Sequence, residues 1–134
     1  MTEPSLNFVT CPDAPGDAAS THQMAYWQWG DAASGHVVLC VHGLTRQGRD
    51  FDTLARALCE RAQAAGVPLR VVCPDVVGRG RSDWLADPMA YQLPTYAGDM
   101  LALVAHLLLG AALTWGINWK QSDPQVSFSA ELWS

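Results

Sequence analysis

The polarity pattern of the chain changes period several times, and each change marks an element. Val37-Val38-Leu39-Cys40-Val41 is an unbroken apolar run, largely β-branched. Such a run predicts a strand covered on both faces, as in a parallel sheet. It stops abruptly at His42-Gly43. From Gly48 to Ala65 the period lengthens. Phe51, Leu54, Leu58 and Ala62 recur at spacings of three and four, the single stripe of a helix. Asp50 and Asp52 fall in its first turn, where the helix dipole favours acids. Gly66 and Pro68 supply the stop. Leu69 to Cys73 is a second buried strand, closed by Pro74-Asp75. Strand, helix and strand together predict a right-handed βαβ unit with its two strands parallel.

The flanks are less regular. Leu6 to Thr10 predicts a short first strand, and Cys11 to Gln23, rich in Pro, Gly, Asp and Ser, predicts a loop. Met24 to Gly30 is aromatic and predicts another strand. Gly78 to Pro94 predicts an irregular loop. Thr95 then caps a helix over Tyr96 to Leu109, with Met100, Leu103, Val104 and Leu107 on one face. Beyond Leu109 the periodicity fades. Leu113 to Trp119 is a weak strand candidate in a stretch whose only charges are Lys120, Asp123 and Glu131. Three regions follow: a strand and loop over 1–23, the main unit over 24–109, and an atypical Trp-containing tail over 110–134.

Composition narrows the function classes. With 49% hydrophobic and 16% charged residues the chain is globular. A net charge of -5 argues against nucleic acid as a partner, because that surface demands a basic footprint. Four cysteines occur, none in a C-x-x-C pair, and Cys40 and Cys73 sit in apolar runs. Free buried thiols fit a reducing, cytoplasmic setting. His42 lies two residues from Cys40, but no four-ligand spacing appears, so neither a metal nor a cofactor is expected. Residues 1–20 have no basic segment and no long apolar segment of a secretory signal. Met100 to Ile117 is interrupted by His106, Gly110, Thr114 and Gly116, which favours a buried helix and a strand over a membrane span.

Two motifs stand at the ends of the two buried strands: Val41-His42-Gly43-Leu44, and Pro74-Asp75 followed by Gly78-Arg79-Gly80-Arg81-Ser82-Asp83. Over about Met24 to Leu107 this order resembles the α/β-hydrolase family, its esterase and lipase-like members in particular. There an apolar strand ends in H-G, a helix follows, the next strand ends in P-D, and a G-x-G-x-S loop comes after. The resemblance implies an α/β fold whose sheet is mostly parallel, with an N-terminal antiparallel strand or hairpin and flanking helices. It implies hydrolysis of an ester-like small molecule by a Ser-Asp-His triad. It also implies that the backbone N–H of Leu44 is an oxyanion-hole donor, with His42 and Gly43 shaping its loop. Asp75, Gly78, Gly80 and Ser82 then shape the second loop, and Arg79 and Arg81 read as solvated charges.

The sequence also departs from that family. No G-x-S-x-G occurs, Asn118 stands two residues after Gly116 where a serine is expected, and the last histidine, His106, precedes any nucleophile position. An amide is no nucleophile for acyl transfer. The family sheet is incomplete, which would leave the His36 to Val41 strand at a bare edge prone to self-association. The reading is therefore a truncated hydrolase-like protein lacking its triad, with Gly110 to Ser134 a tail from a frameshift or early stop. The alternatives are a non-catalytic interaction module using that edge or the tail, and a hydrolase completed by a second chain.

Overall fold

The computed structural model describes residues 3–14, 19–118 and 128–132, and for 110–118 and 128–132 it describes the backbone. The strands are β1 (Ser5–Pro12), β2 (Thr21–Gly30), β3 (Val37–Val41), β4 (Arg70–Pro74) and β5 (Phe128–Leu132). The helices are α1 (Asp52–Ala65), entered through a 3-10 turn at Gly48–Phe51, and α2 (Leu93–Asn118). Among the described residues the sheet order is β1-β2-β4-β3-β5. β1, β2 and β4 pair antiparallel, while β3 runs parallel to both β4 and β5, so the sheet is mixed.

Alternation along each strand explains how the layers form. In β4, Val71 and Cys73 face α1, while Val72 between them faces α2. In β3, Cys40 joins the α1 side, and Val37 and Leu39 join the α2 side. In β2, Trp29 packs toward α1, and Met24 and Tyr26 pack toward α2. From the helices, Phe51 and Ala55 close one core, and Leu103 and Leu107 close the other. Both strands of the central pair are therefore covered on both faces, which is why they read as unbroken apolar runs. Gly66 ends α1 with a left-handed φ of 71°, and the Val67 N–H closes back on the Ala62 carbonyl.

Three expectations are corrected. The hairpin is longer than its apolar core: β1 reaches Pro12 and β2 starts at Thr21, so much of the expected loop is strand. Pairing Cys11 with His22 extends the ladder through residues that look loop-like by composition. Leu113 to Asn118 is helix, because α2 runs on past Leu109; Trp119 lies outside the described residues. Ala111, Ala112 and Leu113 are strong helix formers, and a glycine such as Gly110 costs only about 1 kcal/mol inside a helix. Finally, β3 is not a bare edge, because β5 pairs with it from Val37↔Phe128 to Val41↔Leu132. Self-association through that edge loses its structural basis. Among the described residues no helix is long and apolar enough to cross a membrane.

Candidate functional site

Because β3 and β4 are parallel neighbours in register (Val37↔Arg70, Leu39↔Val72), their C-terminal ends lie side by side. The residues that follow each strand therefore meet. His42 is buried, and its Nε2 accepts the Val76 N–H at 2.9 Å. That bond requires a lone pair on Nε2, so the ring proton sits on Nδ1 and is donated to the Gly43 carbonyl at 2.7 Å. The same carbonyl accepts the Arg46 N–H. A trans peptide is planar, with its C=O and N–H pointing opposite ways. Holding the Gly43 carbonyl against the imidazole therefore aims the Leu44 N–H away from it. Leu44 is 68% exposed and belongs to none of the hydrophobic cores formed by the described residues.

The Leu44 carbonyl is held as well. Arg79 Nε donates to it at 2.9 Å, and Arg79 Nη1 donates to the Val77 carbonyl at 2.8 Å. The Arg79 guanidinium also lies over the Tyr96 ring, 5.4 Å from its centroid. The expectation of a merely solvated Arg79 is thus corrected: its planar fork ties the loop after β3 to the loop after β4. Arg81 is exposed, and only its backbone N–H takes part.

That N–H reaches the centre of the second loop, the carboxylate of Asp75, 1% exposed. Oδ2 accepts the Arg81 N–H at 2.8 Å and the Trp27 Nε1–H at 3.3 Å, and Oδ1 accepts the Gly48 N–H at 2.7 Å. The Ser82 hydroxyl donates to the Asp75 carbonyl and accepts the Ala25 N–H. Two glycines let the chain come this close. A Cβ on Gly80, whose φ is +51°, would lie 2.2 Å from Asp75 Oδ2. A Cβ on Gly48 would lie 2.5 Å from the Cys73 carbonyl oxygen. A Cβ on Gly78, whose φ is +82°, would lie 2.8 Å from the Tyr91 ring.

Beside the His42 loop lies an open groove of about 590 Å³, with Gly43, Phe51, Leu54 and Ala57 in its wall. A polar hollow of about 420 Å³ adjoins it, with Thr45, Gln47 and Arg79 in its wall. Arg46 and Asp50, paired at 2.8 Å, belong to both. The Leu44 N–H thus points away from the imidazole, and the open groove begins at His42 and Gly43.

A second polar cluster lies on the other face, and the sequence pattern does not single it out. His22, buried, has Nδ1 at 2.8 Å from Asp13 Oδ1 and Nε2 at 2.8 Å from Asp99 Oδ2. Cys11 is its register partner across the hairpin. The donor atoms of Cys11, His22 and Asp99 lie within 4.8 Å of one another, close enough to hold a metal ion. Burial, which alone would lower the His22 pKa, is outweighed by its hydrogen bonds to Asp99 and Asp13, so the ring holds its proton more tightly than in water. Burial raises the Asp99 pKa, and the His22 hydrogen bond offsets part of that. Both shifts point the same way: the pair binds its proton firmly. Burial, and then the Asp99 charge, pushes the Cys11 thiol up to about 12. The signal available in the sequence was same-face spacing: His22-Met24-Tyr26 on a strand and Asp99-Leu103-Leu107 on a helix place both polar residues on apolar faces.

Among solved structures the chain is similar to an α/β hydrolase from Novosphingobium aromaticivorans. The two are 29% identical with a TM-score of 0.65, over 98% of this chain and 44% of that one. The chain has the N-terminal portion of the α/β-hydrolase fold. A thioesterase domain from the curacin biosynthetic pathway shares that α/β-hydrolase architecture at 26% identity and a TM-score of 0.61, over 77% of this chain and 33% of that one. By sequence the chain is 53% identical over 104 residues to the 3-hydroxybutyrate-oligomer hydrolase of Cupriavidus necator, 78% of this chain. It spans about a third of that curated relative's length, 32%. No family model matches the chain.

Proposed function

We propose that this chain carries the oxyanion-hole portion of an esterase-like α/β-hydrolase acting on short esters of hydroxy acids. In that reading the Leu44 N–H stabilises the charge that grows on the substrate carbonyl oxygen. Such a donor contributes roughly 3–4 kcal/mol to lowering the barrier in studied hydrolases. His42 is the positioning residue, since its Nδ1–H fixes the peptide that contains the Leu44 N–H. That locked peptide is the observation that carries the reading. The substrate class rests on the 53% identity to a 3-hydroxybutyrate-oligomer hydrolase. The nucleophile, acid and base are not supplied in family order by this sequence, so by itself the chain does not turn over substrate.

The test has two arms. The 134-residue chain, incubated with the dimeric ester of 3-hydroxybutyrate and separately with a fluorophosphonate, is expected to show no hydrolysis above blank and no labelled serine. A chimera carrying this chain's matching segment in the Cupriavidus necator hydrolase is expected to cleave the same dimer. Turnover by the chain alone would overturn the proposed division of labour. A folded chimera without activity would overturn the oxyanion-hole reading.

A further inference from the structure

We propose that Cys11, His22 and Asp99 form a buried binding site for a divalent transition metal of the zinc class, with Asp13 as the carboxylate that orients the histidine. The site shares no residue with the His42 loop. It joins the β1–β2 hairpin to the start of α2.

The donor set selects the kind of ion. One thiol, one imidazole and one carboxylate suit a borderline-soft cation, whereas calcium and magnesium favour oxygen ligands. The second coordination layer is already in place. Histidines that bind metals through one ring nitrogen usually donate the other N–H to a carboxylate. Here Asp13 Oδ1 stands 2.8 Å from Nδ1, which leaves Nε2 for the metal beside Asp99 and Cys11.

Both ring nitrogens lie 2.8 Å from carboxylate oxygens. On metal binding the proton shared between Nε2 and Asp99 and the Cys11 thiol proton go to solvent. Nε2–metal, Oδ2–metal and Sγ–metal bonds form, and nothing is oxidised. The two carboxylates and the thiolate then surround the cation with opposite charge, which offsets the cost of placing an ion in a protein interior. Geometry needs a small adjustment. Tetrahedral bonds of about 2.0–2.1 Å set N and O ligands about 3.3 Å apart, and the present separation of Nε2 and Oδ2 is 2.8 Å. Rotation of the Asp99 side chain widens that separation. Rotation of the Cys11 side chain draws Sγ, now within 4.8 Å of the other donors, to the roughly 3.6 Å that a metal–sulfur bond of about 2.3 Å sets. Three protein ligands leave a fourth position for water.

The experiment uses the full chain in reduced form with Cys59→Ser, which removes the partly exposed thiol and keeps the buried ones. After chelator treatment the protein is titrated with Co2+ and, separately, dialysed against Zn2+. The expected result is one equivalent of metal, a thiolate-to-cobalt charge-transfer band, and a thermal midpoint that rises with free zinc. Cys11→Ala is expected to abolish the band, and Cys40→Ala to keep it. Asp13→Asn should retain one equivalent but weaken affinity about 10–100-fold, the usual effect of losing an orienting carboxylate. Absence of a band and of retained zinc in the Cys59→Ser protein overturns the site without appeal to any further variant. So does a band that survives Cys11→Ala.

Discussion

Asp75 and Asp99 are both 1% exposed, both are carboxylates inside one small domain, and they are held in different ways. Asp75 is surrounded by donors that cannot become acceptors: the N–H groups of Gly48 and Arg81 and the indole of Trp27. Asp99 faces the His22 ring and the Cys11 thiol, both of which can give up a proton. The first carboxylate is a fixed post around which the two loops at the strand ends are built. The second sits in a network whose protons can move or be replaced. Burial alone therefore does not say what a charged group is for; the donors that hold it do.

The same substitution at the two positions should break this comparison if it is wrong. Asp75→Asn places an NH2 against a backbone N–H that has nothing else to bond. Its expected cost is about 3 kcal/mol or more, from an unsatisfied buried donor plus the lost ionic hydrogen bonds. Urea unfolding would measure it, and a loss below that of Asp99→Asn would contradict the account. Gly80→Ala comes next. It combines a left-handed φ with a Cβ 2.2 Å from Asp75 Oδ2, and backbone strain alone costs roughly 1–3 kcal/mol. Ser82→Ala strands the Ala25 N–H and should cost about 1–2 kcal/mol in the same measurement. Asp99→Asn is expected to cost least in chelator-treated protein, about 1 kcal/mol. The amide can donate to Nε2 once the ring turns to its Nδ1–H tautomer, which still satisfies Asp13.

Much of the frame was legible because local and long-range signals agree there. The apolar runs of β3 and β4 are covered on both faces, and the Phe51-Leu54-Leu58 stripe packs on one of them. Where the two signals part, the pattern misled. The Cys11 to Gln23 stretch has loop-like composition, yet cross-strand pairing carries the ladder through Cys11↔His22. Leu113 to Trp119 was a weak strand candidate, but Ala111, Ala112 and Leu113 favour helix and α2 runs on to Asn118. At the strand ends the motif letters were visible, while the part each plays was not. Nothing in His42-Gly43 announces which ring nitrogen carries the proton, since the Val76 N–H that decides it comes from 34 residues away. Arg79 is one more loop arginine until folding sets it between the Leu44 carbonyl and the Tyr96 ring. The His22 cluster stayed hidden because its members are spread over 89 positions, from Cys11 to Asp99, and meet only through the hairpin and α2.

The central claim is that the backbone N–H of Leu44, aimed by His42, is what this chain contributes to ester hydrolysis. The most direct measurement is kcat of the chimeric hydrolase on the 3-hydroxybutyrate dimer, with Leu44→Ala and Leu44→Pro compared. Alanine keeps the N–H and proline removes it. The account predicts near-unchanged kcat for Leu44→Ala and a loss of about 100–1,000-fold for Leu44→Pro, the usual effect of deleting one oxyanion donor. Equal kcat in the two variants, both folded, would contradict it.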